Sequence, residues 1–140
     1  MTEIASIVKS LAEKSGFVAF DDFEDVDTLE YPLKYLAFAA VKKYVISSWV
    51  RSYDYQIYGA EITGRVCIRL FGKRGNFSDR ETLSKRVSSL IKKLGFCSQF
   101  VMTSIECGEL VENRLLGRLE QDIIVDFRTM ITAAGLTGEV

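Results

Sequence analysis

The sequence predicts an α+β domain: an antiparallel β-sheet of four to five strands with two main helices packed on one face. Three observations predict it. Residues 55–71 and 118–131 alternate apolar and polar side chains with the period of two that marks half-buried strands. Residues 78–94 carry an apolar stripe at helical spacing, and a second such stripe opens the chain. The order is helix, short strand, acidic loop, strand, strand, helix, strand, strand, which layers helices against antiparallel hairpins. At 140 residues the chain is one domain, 1–140, with a small, glycine-containing tail over 132–140 expected to be flexible. A chain of this length buries roughly two thirds of its unfolded surface, so its core needs no disulfide or metal.

The elements follow in order. Ile4, Ile7, Val8 and Leu11 form the stripe of a first helix over Glu3 to Ser15, with Thr2 as its cap and Gly16 as its left-handed stop. Phe17 to Phe20 suits a short strand. Six carboxylates follow within ten residues: Asp21, Asp22, Glu24, Asp25, Asp27 and Glu30. Pro32, the only proline, closes that loop. Leu33, Leu36, Ala37, Ala40, Val41 and Tyr44 would also fit a helical stripe. The β-branched and aromatic end Tyr44-Val45-Ile46 favours a strand over Tyr35 to Ser47.

In the next strand, Tyr55 to Phe71, Ala60, Ile62, Gly64, Val66, Ile68 and Leu70 share one face, and Glu61, Arg65 and Arg69 lie on the other. The turn Gly72 to Asn76 ends it. Ser78 and Glu81 fit a capping box, with Phe77 as a staple, ahead of the stripe Leu83, Val87, Leu90, Ile91 and Leu94; Gly95 is the stop. Lys92 and Lys93 sit in the last turn, where the helix dipole favours cations. Phe100 to Glu109 and Arg118 to Ile131 are the closing strands. In the latter, Leu119, Gln121, Ile123, Val125, Phe127, Thr129 and Ile131 form the inner face, with Arg118, Glu120, Asp122, Asp126 and Arg128 opposite.

Composition narrows the function. With 18 basic and 19 acidic residues the net charge is −1, which gives no field for sequence-specific nucleic acid or an anionic membrane. No apolar run approaches the ~20 residues of a membrane span. The start Met1-Thr2-Glu3-Ile4 lacks a signal-peptide pattern, so the chain is expected to be made in a cytoplasm. There is no histidine, which removes serine–histidine and cysteine–histidine catalysis. Glu106 with Glu109, or Glu120, Asp122 and Asp126, could pair as catalytic carboxylates, but solvent-facing strand positions explain them better.

Cys67, Cys97 and Cys107 are odd in number and widely spaced, so free buried thiols are expected. No metal and no cofactor are expected. Gly72-Lys73-Arg74-Gly75 lacks the spacing of a phosphate loop, and Asp21, Asp25 and Asp27 lack that of a calcium loop. Tyr44, Tyr53, Tyr55 and Tyr58 could stack bases, yet no RNA-recognition motif accompanies them. The expectation is a protein that is not an enzyme.

Assembly explains more. Between the first two long strands, Ser48 to Tyr58 holds the sole tryptophan, Trp49, together with Arg51, Tyr53, Tyr55 and Tyr58. Such side chains bury large areas and keep a polar handle, as interface anchors do. The alternative reading is an ordinary long hairpin. Outside the acidic stretch the chain carries 18 basic against 13 acidic residues, a balance of +5. The cations Lys42, Lys43, Arg51, Lys73 and Arg74 could therefore dock on the segment Asp21, Asp22, Glu24, Asp25 and Asp27 of a neighbouring copy. A head-to-tail contact of unlike surfaces generates a ring when its rotation closes.

This pattern resembles the tail-terminator (tail-completion) proteins of tailed bacteriophages, above all those of Gram-positive hosts. The likeness covers most of the chain. It runs through the opening helix at Ile4–Leu11, the acidic turn and proline of Phe17–Pro32, and the long pair Tyr35–Ser47 and Tyr55–Phe71. It continues through the helix Ser78–Leu94 and the closing pair Phe100–Glu109 and Arg118–Ile131, with Val125-Asp126-Phe127-Arg128-Thr129-Met130-Ile131 similar to the family's last strand. It rests on order, length and texture, not on an invariant motif. The resemblance implies a structural virion protein at the tail–neck junction, a hexameric ring that caps the tail tube and meets the sheath and the neck. It equally implies a neck or head–tail connector, or the collar of a phage-derived contractile particle. That family has no catalytic residues to carry over.

Overall fold

A computed structural model describes residues 2–21, 30–51, 57–75 and 79–132. The elements are α1 (Thr2–Lys14), β1 (Phe17–Asp21), β2 (Tyr35–Arg51), β3 (Ile57–Phe71), α2 (Arg80–Gly95), β4 (Val101–Cys107), β5 (Val111–Asn113) and β6 (Arg118–Thr132). The α+β class stands. Among the described residues the sheet has six strands in the order β1-β2-β3-β6-β4, with β5 also on β6.

Two details differ from the expectation of an antiparallel sheet with four to five strands. β1 pairs with β2 in parallel, from Phe17–Tyr35 to Asp21–Ala39, so the sheet is mixed. The 13 residues between Asp21 and Tyr35 supply the length that a parallel crossover needs. The second difference is β5, three residues that form a hairpin with β6 through Gly117 at φ 65. Only glycine takes that left-handed conformation cheaply.

Both helices lie on one face of the sheet, and the core forms between them. Ile4, Val8 and Ala12 of α1 and Leu83, Val87, Leu90 and Leu94 of α2 pack on Tyr35, Ala37 and Ala39 of β2, on Val66, Ile68 and Leu70 of β3, and on Leu119, Ile123, Val125 and Phe127 of β6. For α1, α2, β3 and β6 these are the faces that the helical and period-two patterns assign; for β2 the sequence assigned none. Arg86 of α2 joins the layers: its guanidinium stands 4.1 Å over the Tyr35 ring and donates to the Gly16 carbonyl at 2.6 Å. Gly16 itself, at φ 98, ends α1 as expected.

The start of α2 departs from the capping-box reading. The helix begins at Arg80 with Asp79 at the N-cap position and no side-chain cap bond. Ser78 and Phe77 lie outside the described residues. Asp79 turns instead toward Lys73, at 4.0 Å.

Arg118 corrects the alternation. The pattern puts it on the solvent side, yet it is fully buried. Its Nη1 donates to the carbonyls of Lys34 and Gly72 at 2.9 and 2.8 Å, and its Nη2 to that of Tyr31 at 2.6 Å. The chain ahead of β2 folds over the start of β6, and a strand pattern is blind to such a covering segment. The thiols are a further correction. All three cysteines are free, but Cys67 and Cys97 are half-buried and Cys107 is exposed.

Candidate functional site

The face of the sheet away from the helices is not bare. Near β1 it is aromatic: Phe20 stacks on Phe38 at 5.4 Å, Phe38 meets Phe71 edge-on at 5.7 Å, and Tyr31 closes on Phe20 at 5.5 Å. Between β3 and β6 it is a ladder of ions. Arg65 Nε donates to Asp126 at 2.9 Å, Arg69 reaches Glu120 at 3.3 Å and Asp122 at 3.4 Å, and Arg128 faces Glu61 at 4.0 Å. The antiparallel register sets these pairs, since Arg65 lies opposite Asp126 and Arg69 opposite Asp122. Glu120, Asp122 and Asp126 are therefore engaged with arginines across the strand face. Among the described residues no group of histidine, cysteine and carboxylate side chains could hold a metal.

The hydrogen bonds from Arg65 and from Ser104, the latter at 3.0 Å, hold the Asp126 carboxyl below its ordinary range. The same bond raises Arg65. Because the folded pKa of Asp126 is depressed, the folded chain binds fewer protons there than the unfolded one. The stability from this group is present above the ordinary aspartate value and is lost as the pH falls through the folded one. Thermal melts from about pH 5 to about pH 2 are expected to fall less steeply for Asp126→Asn than for the natural chain. Equal slopes would remove the ladder from the acid response.

The long arm of β2 is the other conspicuous surface. β1 accompanies β2 only along Tyr35–Ala39, and β2 runs on to Arg51 beside β3. Trp49 and Arg51 thus stand on a strand and not in the expected loop. Bulges between Val41 and Lys43 and between Ile46 and Ser48 carry the strand through the Ser47-Ser48 pair. Each bulge shifts the alternation by one residue, so no single period-two pattern runs from Tyr35 to Arg51. Tyr44, Ile46 and Trp49 pair with Gly64, Ile62 and Ala60, so all three continue the helix-side face of the sheet. They are 54%, 37% and 48% exposed. The apolar face outruns the helices that cover it elsewhere.

The remaining candidates separate. Lys42 and Lys43 are exposed on the same arm as Trp49. Tyr58 lies in β3 opposite that arm, while Tyr53 and Tyr55 fall outside the described residues. Lys73 and Arg74 follow the far end of β3 and form no single patch with Lys42 and Lys43. Lys73 stands 5.9 Å over the Tyr35 ring, and the Arg74 amide donates to the Pro32 carbonyl at 3.0 Å. Burial, and then the charge of Asp79, push the Tyr35 phenol up. Of the acidic segment, Asp21 ends β1 and pairs with Lys9 of α1 at 3.0 Å. Asp22, Glu24, Asp25 and Asp27 lie outside the described residues.

Two features escaped the sequence reading. One is the buried guanidinium of Arg118. The other is Gly64, where an added Cβ would meet the Phe127 ring at 2.6 Å and the Lys43 carbonyl at 2.8 Å. Its place within an apolar alternation was the available signal, because glycine inside a strand marks close approach.

No family model matches the chain, and no curated protein matches it. Among solved structures, a chain of the virion of a native gene transfer agent particle is similar, with a TM-score of 0.44 and 9% identity over 91% of this chain and 86% of that one.

Proposed function

We propose that this chain is a structural protein of a tailed-phage-like particle: a tail terminator that binds copies of itself in a ring, caps the tail tube and presents a surface to the neck. The exposed apolar row Tyr44, Ile46 and Trp49 on the β2 arm carries the reading. A row of this kind, flanked by exposed Lys42 and Lys43, suits a protein contact better than it suits solvent. The order of elements supports it, because helix, short strand, two long strands, helix and closing strands is the order on which the family resemblance rests. Six copies per ring, a contact with sheath and a place at the tail–neck junction follow from that resemblance. Catalysis has no part in this reading: the chain lacks histidine, and the carboxylates of the β6 face are held by arginines.

The test is tube growth. Tail-tube subunits polymerised in the presence of this chain are expected to give short tubes with the chain at one end. Tubes of unchanged length without the chain bound would defeat the terminator role.

A further inference from the structure

Three loops meet at the end of the sheet where β2 and β6 begin and β3 stops: residues 31–34, 72–75 and 114–118. The fold ties them together. Arg118 donates to the carbonyls of Tyr31, Lys34 and Gly72, the Arg74 amide donates to the Pro32 carbonyl, and the Gly75 amide to that of Gly117. The tied loops present apolar and basic side chains to solvent. Leu33 is 75% exposed and Leu115 98% exposed. Lys34, Arg74 and Arg114 are exposed on the same loops.

The charge of this end is one-sided. With Lys73 and Arg118 the three loops carry five cations, and they carry no carboxylate. Setting those five aside leaves 13 basic against 19 acidic residues in the rest of the chain. On the outer face of β3 and β6 the arginines meet carboxylates, Arg65 with Asp126 and Arg69 with Asp122. Among the described residues, no ion pair engages Lys34, Arg74 or Arg114. Like charges are held together instead: after burial, the charge of Arg74 is the next cause that lowers the Arg118 pKa. Uncovered leucines beside cations that lack carboxylates are complementary to a partner surface of carboxylates and apolar side chains.

We infer that this end of the sheet docks an acidic protein surface, with Leu33 and Leu115 as its apolar contacts and Lys34, Arg74 and Arg114 as its ionic ones. The occupant is the last ring of the tail tube, so the inference rests on the proposed function and assigns it a surface. The place in the fold suits that division. β2, 17 residues long, starts at this end and carries Trp49 near the other, on the order of 50 Å away at about 3.3 Å per residue. Contact between copies through the arm and contact with the tube through the loops therefore do not compete. Loops that are already tied also lose little freedom on docking. A polyanion fits less well. The one aromatic side chain on these loops, Tyr31, is packed edge-on against Phe20, and the net-negative remainder of the chain repels an extended anionic surface.

Co-sedimentation of the full chain with polymerised tail-tube subunits tests it. Arg74→Glu with Arg114→Glu is expected to weaken tube binding at least about tenfold, and Leu33→Ser with Leu115→Ser by a similar factor. Binding of the natural chain is expected to weaken as salt rises. Both variants are expected to keep the natural mass in light scattering, because the Trp49 arm is untouched. Circular dichroism controls for folding, and should one variant fail to fold, the other decides. If the natural chain binds tubes and a folded variant binds them as tightly, the docking surface is wrong while the terminator role stands. Variants that lose tube binding only together with the natural mass would also overturn it, since the loops would then join copies. Binding of single-stranded DNA by the natural chain, lost in the arginine variant, would assign the loops to nucleic acid and overturn it as well. If the natural chain ignores tubes, terminator role and docking surface fall together.

Discussion

Replacing Arg118 with methionine is expected to lower the stability of the chain by about 3 kcal/mol, a fall of roughly 10 °C in melting temperature for a domain of this size. The guanidinium is buried and donates to three carbonyls, those of Tyr31, Lys34 and Gly72. Methionine fills similar space but leaves these acceptors without their donor, at about 1–3 kcal/mol for each that stays dry. Losing a desolvated charge offsets part of that cost. Burial, followed by the nearby charge of Arg74, lowers the Arg118 pKa, and an arginine shifted in this way remains a cation at any physiological pH. Lysine is expected to recover less than half of the loss, because one ammonium cannot reproduce a planar fork spread over three carbonyls. Urea unfolding of the two variants measures both effects. Hydrogen exchange should show the loosening first in residues 30–35, which the guanidinium ties to the start of β6. A methionine variant within about 0.5 kcal/mol of the natural chain would mean that the clamp is ornamental.

Gly64→Ala is expected to cost about 2–3 kcal/mol, more than the removal of a glycine from a strand would suggest. Alanine ordinarily favours a strand over glycine through the unfolded state. Here the new Cβ meets Phe127 Cζ at 2.6 Å and the Lys43 carbonyl at 2.8 Å. The Phe127 ring is held in place, being 1% exposed and set edge-on to Phe100 at 6.0 Å. The carbonyl is backbone, in the strand next to the Val41/Lys43 bulge, and yields little. Alanine therefore forces either the ring or the β2–β3 pairing to move. Phe127→Leu as a background separates the two obstacles: the alanine cost is expected to shrink there but not to vanish, since the carbonyl stays. Because β2 carries the arm, the alanine variant should also associate more weakly than its melting temperature alone implies. A neutral Gly64→Ala would show that the strands separate there at no cost.

The sequence made the regular parts legible. β3 and β6 alternate over more than a dozen residues, and the α2 stripe Leu83, Val87, Leu90 and Leu94 is buried as its spacing requires. What escaped has a physical cause each time. The direction of β1 beside β2 is a pairing choice, and a strand's own side chains do not encode it. The β2 arm from Ser48 to Arg51 looked like a loop because two bulges break its period. Arg118 looked exposed because burial by a distant segment leaves no mark on a strand pattern. The anchor residues were half legible: Trp49 and Lys43 were named from composition, but their place on one strand came from the fold. Glu106 and Glu109 were read as solvent-facing strand carboxylates and Glu112 was not singled out; only the strand order brings the three to one side of β6.

Electron microscopy of the purified chain tests assembly most directly. Closed rings of one size, with copies joined side by side, are expected at concentrations where the particle would form. Single molecules at every concentration, or open filaments that never close, would contradict it.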